Sequence, residues 1–530
     1  MIKYLILFAV IIFICVFLNN FSKKFGIPVL LLFIILGILY GWNTNDFTAQ
    51  EYGFVESLCS IALIFIMFYG GFGTRWSSAK PVIIESGTLA TLGVFMTAAL
   101  VGIFCHFALH WSWVEGLLMG SVISSTDAAS VFSILRTRKL GLKDNTAPLL
   151  EIESGSNDPC SYMLTVIMLS ILNGTAGGGR IVWDIFAQFF FGALFGLAIA
   201  WLAGYLLRTF KFPDGFDSMF ILAVALISYA LPNVVGGNGY LSAYIVGISL
   251  GNKEFHGKKS LVGFFDGVTS FMQILIFFLL GLISIPSHLA SAIIPATLIF
   301  LFLTIIARPL AVCSILAPFR KYKLRHMGLV SFVGLRGASS IVFAIMTITK
   351  GASLEHDIFS IVFCIVLVSI ALQGSLIPAA ARGMKMIDAN EDILRTFSDF
   401  AENSQMNFST LKITENDFLA GKEIKDVPLP KEIIIALILR GNENIIPKGN
   451  TVLLAGDRLV LCAKEFKNDS LVQLVEHRIS KDSRWNGQLI KDYPHQANAL
   501  IVMVRRGEEE IIPNGNTMLL SGDTLVILKR

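Results

Sequence analysis

Three clusters of polar residues interrupt stretches that are otherwise apolar enough to lie in a lipid bilayer. They read "GSVISSTDAASVF" (120–132), "EIESGSNDPCSYM" (151–163) and "FVGLRGASSIVFA" (332–344). An ionisable side chain inside a bilayer is costly, so by default it marks a site or a pathway. Carboxylate, hydroxyl and carbonyl oxygens are ligands for hard cations. The clusters therefore predict a site for a small inorganic cation within the membrane.

The second cluster sorts into two stripes at helical spacing. Ser154 and Asp158 lie four residues apart, as do Glu153 and Asn157, so the two pairs occupy adjacent faces of one helix. Pro159 has no backbone N–H and follows a Gly-Ser pair, which predicts a local break in this helix.

The first cluster predicts an interrupted span at Ser124–Asp127. A broken span exposes carbonyl groups of one half-helix and amide groups of the other, and both can coordinate ions at the bilayer midplane. Purely structural roles are the alternatives to this interpretation. Thr126 could be a helix-packing residue, Asp127 could simply cap a half-helix, and Asp158 could be a structural hydrogen bonder.

Arg336 needs an acidic partner if it is buried. Glu153 is the candidate, because it lies on the stripe beside Ser154 and Asp158. Removal of one partner from such a pair would cost roughly 3–5 kcal/mol. Asp127 and Asp158 then remain to bind a cation.

The elements that must position these residues are membrane helices. The chain has 530 residues, of which 54% are hydrophobic and 15% are charged, against roughly 25% charge in a soluble protein. Residues 1–385 form apolar runs of ~17 to 25 residues, long enough to cross a bilayer as helices. We predict thirteen spans, near 3–20, 27–42, 54–70, 86–108, 114–135, 147–171, 182–207, 216–231, 239–251, 262–285, 289–318, 326–349 and 356–381.

Lysine and arginine are distributed unevenly between the two sets of loops. One set holds nineteen of them and the other three, namely Lys3, Arg180 and Lys350. The rich set is therefore predicted to be cytoplasmic, with the N-terminus outside and the C-terminal tail inside. The first span lacks a small-residue cleavage site and is interpreted as a retained helix.

The tail contains an internal duplication. Residues 433–464 and 499–530 are identical at sixteen of 32 positions, at a constant offset of 66. Alternating apolar runs with "RG" and "GD" turns predict two small α+β units of short antiparallel strands, each with a helix around 418–425 or 484–492. We place a transmembrane domain at 1–385, a linker at 386–404, and the two repeats at 405–472 and 473–530.

The tail resembles the C-terminal domain of the regulators of potassium conductance, over most of 405–530. This resemblance implies a cytoplasmic, ligand-sensing, dimeric module. A small regulatory ligand of nucleotide type is one candidate, although no Gly-rich dinucleotide fingerprint precedes the repeats. The alternative is a dimerisation module without a ligand.

The membrane part resembles the monovalent cation:proton antiporter-1 family, and with its tail the bacterial potassium/proton antiporters of that family. The motifs are "STD" at 125–127, "ESGSND" at 153–158 and "GLRGA" at 334–338. The resemblance implies a homodimer built from inverted repeats with crossed interrupted helices, working as an elevator in the bacterial cytoplasmic membrane. It also implies roles by motif: Asp158 exchanges proton and cation, Thr126, Asp127 and Ser154 complete the cage, Asn157 orients it, and Glu153 pairs with Arg336. One departure is the third span, which has Tyr69 and Gly70 but no acid where some relatives carry a glutamate.

An exchange mechanism follows from a single buried acid, Asp158. Burial disfavours the charged form of a carboxylate, so a proton and a cation compete for one site, and a moving barrier converts that competition into exchange. Asn157 does not titrate, which predicts an electroneutral exchange of one proton for one cation. Potassium is favoured by the tail, and sodium is the alternative.

Other function classes fit less well. The chain has no phosphate-binding Gly-Lys loop for a primary pump and no "TVGYG"-like filter for a potassium channel. The tail has no convincing nucleophile–base set for an enzyme, and a compact acid–Ser–Thr cluster suits an inorganic ion better than the organic solute of a symporter. We expect no cofactor and no nucleic-acid partner.

Overall fold

A computed structural model describes most of the membrane part of the chain and the strands of its tail. The described residues are 13, 29–42, 48–137, 140–175, 177–210, 213, 215–253, 255, 258–351, 353–388, 406–414, 419–427, 433–440, 443–464, 473–481, 483–492, 499–507, 509–511 and 513–529. The chain divides into two compact units, Met1–Glu402 and Asn403–Arg530.

The first unit is helical. Its helices are α1 (Val29–Gly41), α2 (Ala49–Gly73), α3 (Lys80–Leu109), α4 (Trp113–Ile123), α5 (Ala128–Thr137), α6 (Thr146–Leu172), α7 (Gly178–Thr209), α8 (Phe216–Val234), α9 (Gly239–Gly251), α10 (Lys258–Leu282), α11 (Pro286–Leu316), α12 (Leu324–Phe332), α13 (Ala338–Thr349) and α14 (Ile358–Gly383). A two-stranded antiparallel pair, β1 (Gly141–Leu142) with β2 (Ile387–Asp388), joins the α5–α6 loop to the segment after α14.

Among the described residues, seven helices are long and apolar enough to cross a membrane: α2, α3, α7, α8, α10, α11 and α14. Four apolar helices are shorter, namely α1, α4, α9 and α13. The first predicted span, 3–20, lies outside the described residues apart from Phe13. The count of thirteen spans therefore stays a prediction.

The predicted break at Pro159 is wrong. α6 continues through Pro159 from Thr146 to Leu172. Proline is tolerated inside a membrane helix. Asn238, the residue before α9, donates to the Pro159 carbonyl at 2.8 Å, and Gly155, four residues earlier, lies under the ring of Tyr244 in α9.

Close packing of α4 against α3 holds the first polar cluster in place. A Cβ at Gly120 would lie 2.9 Å from the Ala98 carbonyl carbon, so only glycine allows this approach. At its N-terminus α4 is capped by Ser112, which accepts a hydrogen bond from the Glu115 backbone N–H at 3.2 Å.

The second unit contains two four-stranded antiparallel sheets of the same topology. The first has the order β3 (Met406–Lys412), β6 (Arg458–Lys464), β4 (Ile433–Arg440), β5 (Glu443–Ile445); the second has β7 (Gln473–Arg478), β10 (Thr524–Lys529), β8 (Ala499–Arg506), β9 (Glu509–Ile511). Because the sequence repeats, the strand order repeats.

The helix predicted in each repeat is wrong within the described residues. A single 3₁₀ turn is present instead, at Ile424–Asp426 and at Ile490–Asp492. Gly421 and Gly487 have φ values of +83° and +82°, a left-handed conformation that ends a helix. The following residues form isolated antiparallel bridges outside the sheets, Glu423 to Val452 and Leu489 to Met518.

Candidate cation-binding site

The first polar cluster is an interruption between two half-helices, as predicted. α4 ends at Ile123, α5 begins at Ala128, and the residues between them are not helical. Serine, threonine and aspartate side chains compete with the backbone for hydrogen bonds and so favour such a break. Here Ser124 Oγ donates to the Ser121 carbonyl at 2.7 Å.

The third cluster is a second interruption, between α12 and α13, which spans Val333–Gly337. The two interruptions bind each other directly. The Asp127 backbone N–H donates to the Leu335 carbonyl at 2.8 Å, and Arg336 Nη1 donates to the Ser125 carbonyl at 2.5 Å. Each break thereby satisfies polar backbone groups of the other, which a bilayer would not do.

Asp158 lies on α6 beside this crossing and is 5% exposed. Its Oδ1 accepts a hydrogen bond from Ser125 Oγ, and Ser125 Oγ lies 2.9 Å from Ser339 Oγ at the start of α13. Within the described residues, no lysine or arginine forms an ion pair with Asp158. The carboxylate is thus surrounded by hydroxyl groups that can turn toward a proton or a cation.

Thr126 is held by two side chains from the neighbouring turns of α6. Ser154 Oγ donates to the Thr126 carbonyl at 2.7 Å, and Asn157 Nδ2 donates to Thr126 Oγ1 at 2.6 Å. Asn157 Oδ1 is buried and has no hydrogen-bond partner within the described residues. The residues predicted on separate stripes of α6 therefore both bond to Thr126, next to Asp158.

Asp127 is placed at the N-terminus of α5. Its Oδ1 accepts from the Ser130 N–H at 3.1 Å and its Oδ2 from Ser130 Oγ at 2.6 Å, which is the geometry of a helix cap. The capping alternative weighed from the sequence thus describes its observed contacts, and its part as a cation ligand stays a prediction.

The predicted ion pair between Glu153 and Arg336 is wrong. Glu153 Oε1 pairs instead with Arg308 Nη2 of α11, at 2.5 Å, and both side chains are almost fully buried. Arg336 is used differently: besides its bond to Ser125, its backbone N–H donates to Ser369 Oγ at 3.1 Å. Arg336 is therefore bonded to a backbone carbonyl and not to the acidic partner that we predicted for it.

Three residues of this site escaped the sequence reasoning: Ser125, Ser339 and Arg308. Ser125 and Ser339 stand inside the quoted clusters, but neither spacing nor type singles them out from adjacent serines. Arg308 carried a usable signal, because a fully buried arginine in an apolar helix must have a partner. Tyr69 of the third span donates to Asp266 Oδ1 at 3.4 Å, and is thus directed toward α10.

The arrangement is suited to binding one small cation or one proton. It offers a carboxylate, hydroxyl oxygens and the facing ends of four half-helices within a buried crossing. The ends of α4 and α12 present carbonyl groups, and the starts of α5 and α13 present N–H groups. No site with a nucleophile and a base is formed by these side chains.

Comparison with protein families identifies two regions. The family described as "Sodium/hydrogen exchanger, transmembrane" matches residues 9–383, and the TrkA-C domain matches residues 408–465 and 474–528. The first match covers the helical unit with all three polar clusters. The two tail matches fall on the two duplicated segments.

Curated proteins similar to most of this chain are named as antiporters. The chain is 34% identical over 472 residues to "K(+)/H(+) antiporter NhaP2" of Shewanella sp. (strain MR-4), with 88% of this chain and 82% of the relative covered. It is 32% identical over 469 residues to "K(+)/H(+) antiporter NhaP" of Alkalimonas amylolytica, with 86% and 81% covered. Among solved structures, the sodium proton antiporter MjNhaP1 from Methanocaldococcus jannaschii at pH 8 matches with a TM-score of 0.64 and 23% identity, over 72% of this chain and 98% of that one. This last likeness shows the helical fold.

Proposed function

This chain belongs to the sodium/hydrogen exchanger family and exchanges a monovalent cation for protons across a membrane, and we propose that its cation is potassium and that Asp158 carries the exchange. The observation that carries the proposal is the setting of Asp158: a carboxylate buried at the crossing of two interrupted helices, bonded to a serine and not paired with a basic residue of the described part of the chain. A permanent ion pair would have removed the charge that a cation needs.

The proposed cycle uses one carboxylate for two ligands. A proton neutralises Asp158, or a cation does, and burial makes the empty charged form costly. Thr126 and Ser154 supply further oxygens, Asn157 orients Thr126 through its 2.6 Å bond, and Asp127 supports the site from the start of α5. Since Asn157 does not titrate, we propose that one proton is exchanged for one cation without net charge movement.

Potassium is favoured over sodium by the relatives and by the tail. The two relatives named K(+)/H(+) antiporters cover most of this chain, whereas the solved sodium proton antiporter is only 23% identical. Sodium is the second candidate, because the protein of known structure with the matching fold is named for it.

We further propose an architecture of inverted repeats. A long helix containing a π-helical segment, an interrupted helix and another long helix occur in the same order twice, as α3–α4/α5–α6 and as α11–α12/α13–α14. The π segments are Leu89–Gly93 in α3 and Leu303–Ala307 in α11. If thirteen spans are present, the two interrupted spans are seven apart and run in opposite directions, which is the relation needed for an elevator-type alternating access.

The remaining proposals concern the setting of the protein. We propose a homodimer in the bacterial cytoplasmic membrane, with the N-terminus outside and the tail in the cytoplasm, as the lysine and arginine distribution favours. The tail is proposed to regulate the exchange rate by binding a small ligand.

The experiment is exchange in sealed proteoliposomes with an imposed pH gradient. Potassium, sodium or lithium is added and dissipation of the gradient is followed for the wild type, for Asp158→Asn and for the control Asp184→Asn, whose partly exposed carboxylate pairs with Arg180 at 3.9 Å. We expect potassium to give the fastest dissipation, Asp158→Asn to fall to the rate of protein-free vesicles, and Asp184→Asn to match the wild type. Exchange by Asp158→Asn at the wild-type rate contradicts the role of this residue, and a faster response to sodium contradicts the choice of cation.

A chain that ends before residue 403 tests the tail: an unchanged rate and ion response contradict regulation by it.

A further inference from the structure

A second group of metal-ligating side chains lies away from the Asp158 crossing, where α4 begins and α14 is about to begin. Glu115 is in the first turn of α4, and Glu355 and His356 precede α14. One ligand atom of each residue lies within 4.8 Å of the others. Both segments belong to the set of loops poor in lysine and arginine, the set we propose to be external.

The central ligand is a buried carboxylate. Glu115 is 2% exposed, its Oε1 accepts from the Glu355 backbone N–H at 2.5 Å, and its Oε2 lies 2.8 Å from His356 Nδ1. The exposed Glu355 side chain is brought next to it by the same turn. Glu115 is therefore oriented by the backbone that also carries the other two ligands.

The imidazole of His356 is also held in place. It stacks on Trp111, with ring centroids 4.3 Å apart and an interplanar angle of 21°. Trp111 is buried, and its carbonyl is 2.7 Å from His106 Nδ1. Ligands fixed by surrounding contacts in this way bind a metal at a lower entropic cost than mobile surface side chains do.

The charge of the cluster favours a cation. Two carboxylates approach each other, and within the described residues neither forms an ion pair with a lysine or arginine. Like charges at this separation repel, and a bound divalent ion would offset them.

We propose that Glu115, Glu355 and His356 form a binding site for a divalent transition metal of the Zn²⁺ class. One imidazole nitrogen and two carboxylate oxygens are a donor set that such ions accept, with further positions left for water. Atoms bound to one ion at ~2.1 Å lie at most ~4.2 Å apart, so a small adjustment of the exposed Glu355 closes the site. The metal takes the place of the contact between Glu115 and His356, any proton on His356 Nδ1 being released to water or moved to Nε2, and it ties the start of α4 to the segment that enters α14.

The test is metal binding by the purified full-length protein in detergent, after removal of metal with a chelator. Zn²⁺ is titrated calorimetrically at pH ~7.5, and the unfolding temperature is measured with and without it, since a ligand specific for the folded state raises that temperature. We expect the wild type to bind one equivalent and to unfold at a higher temperature with Zn²⁺. Glu355→Gln and His356→Gln should each weaken binding by at least about tenfold.

His288→Gln is the matched control. His288 is in the first turn of α11, 3.5 Å from Asp357, and is largely exposed. It should leave Zn²⁺ affinity unchanged. Absence of a Zn²⁺ titration in the wild type, retained affinity in both Glu355→Gln and His356→Gln, or displacement of Zn²⁺ by an equal concentration of Ca²⁺ would each overturn the proposal. Because the readout is binding, failure here is distinguishable from failure of the exchange proposal.

Discussion

At the scale of single residues, the membrane unit solves the problem of buried charge in three different ways. Glu153 and Arg308 neutralise each other at 2.5 Å. Arg336 donates to the Ser125 carbonyl at the facing break. Within the described residues, Asp158 accepts a hydrogen bond from the Ser125 hydroxyl and forms no ion pair with a lysine or arginine. We propose that this carboxylate therefore binds the transported ion.

The Glu153–Arg308 pair makes a prediction about coupling. Arg308→Met should lower the free energy of unfolding by roughly 3–5 kcal/mol, because it leaves a buried carboxylate unpaired. Glu153→Gln should rescue part of this loss, giving a coupling of about 1–3 kcal/mol. The measurement is thermal unfolding of the detergent-solubilised protein for both single variants and the double variant.

The control is the same double-mutant cycle with Arg336 in place of Arg308. Glu153→Gln combined with Arg336→Met should show a smaller coupling than the pair with Arg308, since the direct ion pair of Glu153 is with Arg308. A stronger coupling of Glu153 to Arg336 than to Arg308 would contradict the observed pairing and restore the one expected from sequence.

At the scale of elements, the crossing of the two interrupted helices depends on a glycine. A Cβ added at Gly337 would lie 2.6 Å from Asp127 Cγ, between the start of α13 and the cap of α5. The backbone of Gly337 is extended, with φ −129°, so the constraint is one of space and not of dihedral angle. The two half-helices can approach only because this side chain is missing.

Gly337→Ala should therefore reduce cation/proton exchange without changing any charge. We expect at least about a tenfold loss of rate, because misplacement of binding groups by about 1 Å is costly. Gly267→Ala in α10 is the matched control, since its added Cβ would meet open space. Dissipation of a pH gradient in proteoliposomes checks both, and a Gly337→Ala protein as active as the control would show that the crossing can relax.

In the tail, one strand pair of each sheet is clamped by an arginine and an aspartate. Arg440 Nε and Nη2 each bond to Asp457 at 2.8 Å, and Arg506 bonds in the same way to Asp523 at 2.9 and 2.7 Å. The guanidinium of Arg440 holds the pKa of Asp457 below its ordinary value, and Arg506 does the same for Asp523. The "RG" and "GD" turns of the repeats are thus joined to each other.

The clamp predicts a defined pH dependence. A carboxyl group whose pKa is lowered on folding contributes stability at pH values above its unfolded pKa, and this is lost as the pH falls through the folded pKa. Arg440→Met should therefore destabilise the first repeat by about 1.5–3 kcal/mol at pH 7, and the difference from wild type should shrink only on strong acidification. Amide hydrogen exchange of β4 and β6 in the full chain, corrected for intrinsic rates, measures this.

Lys425→Met is the control for the clamp, because Lys425 forms only a surface pair with Glu423, at 2.6 Å. Its effect should stay within the error of the measurement at every pH. A difference for Arg440→Met that grows as the pH falls below 4 would have the wrong sign and would exclude the clamp as its cause.

At the scale of the whole molecule, we propose that one titrating acid per transport unit sets the charge moved in a cycle. Asn157 Nδ2 already donates to Thr126, and its buried Oδ1 has no partner in the part of the chain that the structure describes. An aspartate here would place a second titrating group one residue before Asp158. The number of protons carried in each transport cycle would then change, as well as the local site.

Asn157→Asp should make the exchange sensitive to membrane voltage, because the site could then carry two protons against one cation. We expect the wild type to respond equally in vesicles with and without an imposed potassium-independent membrane potential, and the variant to accelerate when the interior is made negative during proton uptake. The conservative control is Asn157→Gln, which adds no titrating group. A voltage response in wild type would contradict electroneutral exchange.

The sequence by itself determined the properties that depend on local composition and repetition. Apolar runs of bilayer length identified a polytopic helical membrane protein, since a bilayer demands them in any tertiary arrangement. Costly polar residues within these runs marked all three clusters that meet at the crossing, and the offset of 66 residues revealed the repeated sheets.

Only the tertiary structure decided which side chains meet. Glu153 and Arg308 are 155 residues apart in the chain, and no local pattern distinguishes Arg308 from Arg336 as the partner. The break between α12 and α13 is likewise a tertiary feature, because the Asp127 N–H of the facing break donates to the Leu335 carbonyl within it. Periodicity reports the face of a helix on which a residue lies, whereas a buried charge is neutralised by whatever distant group packing brings within reach.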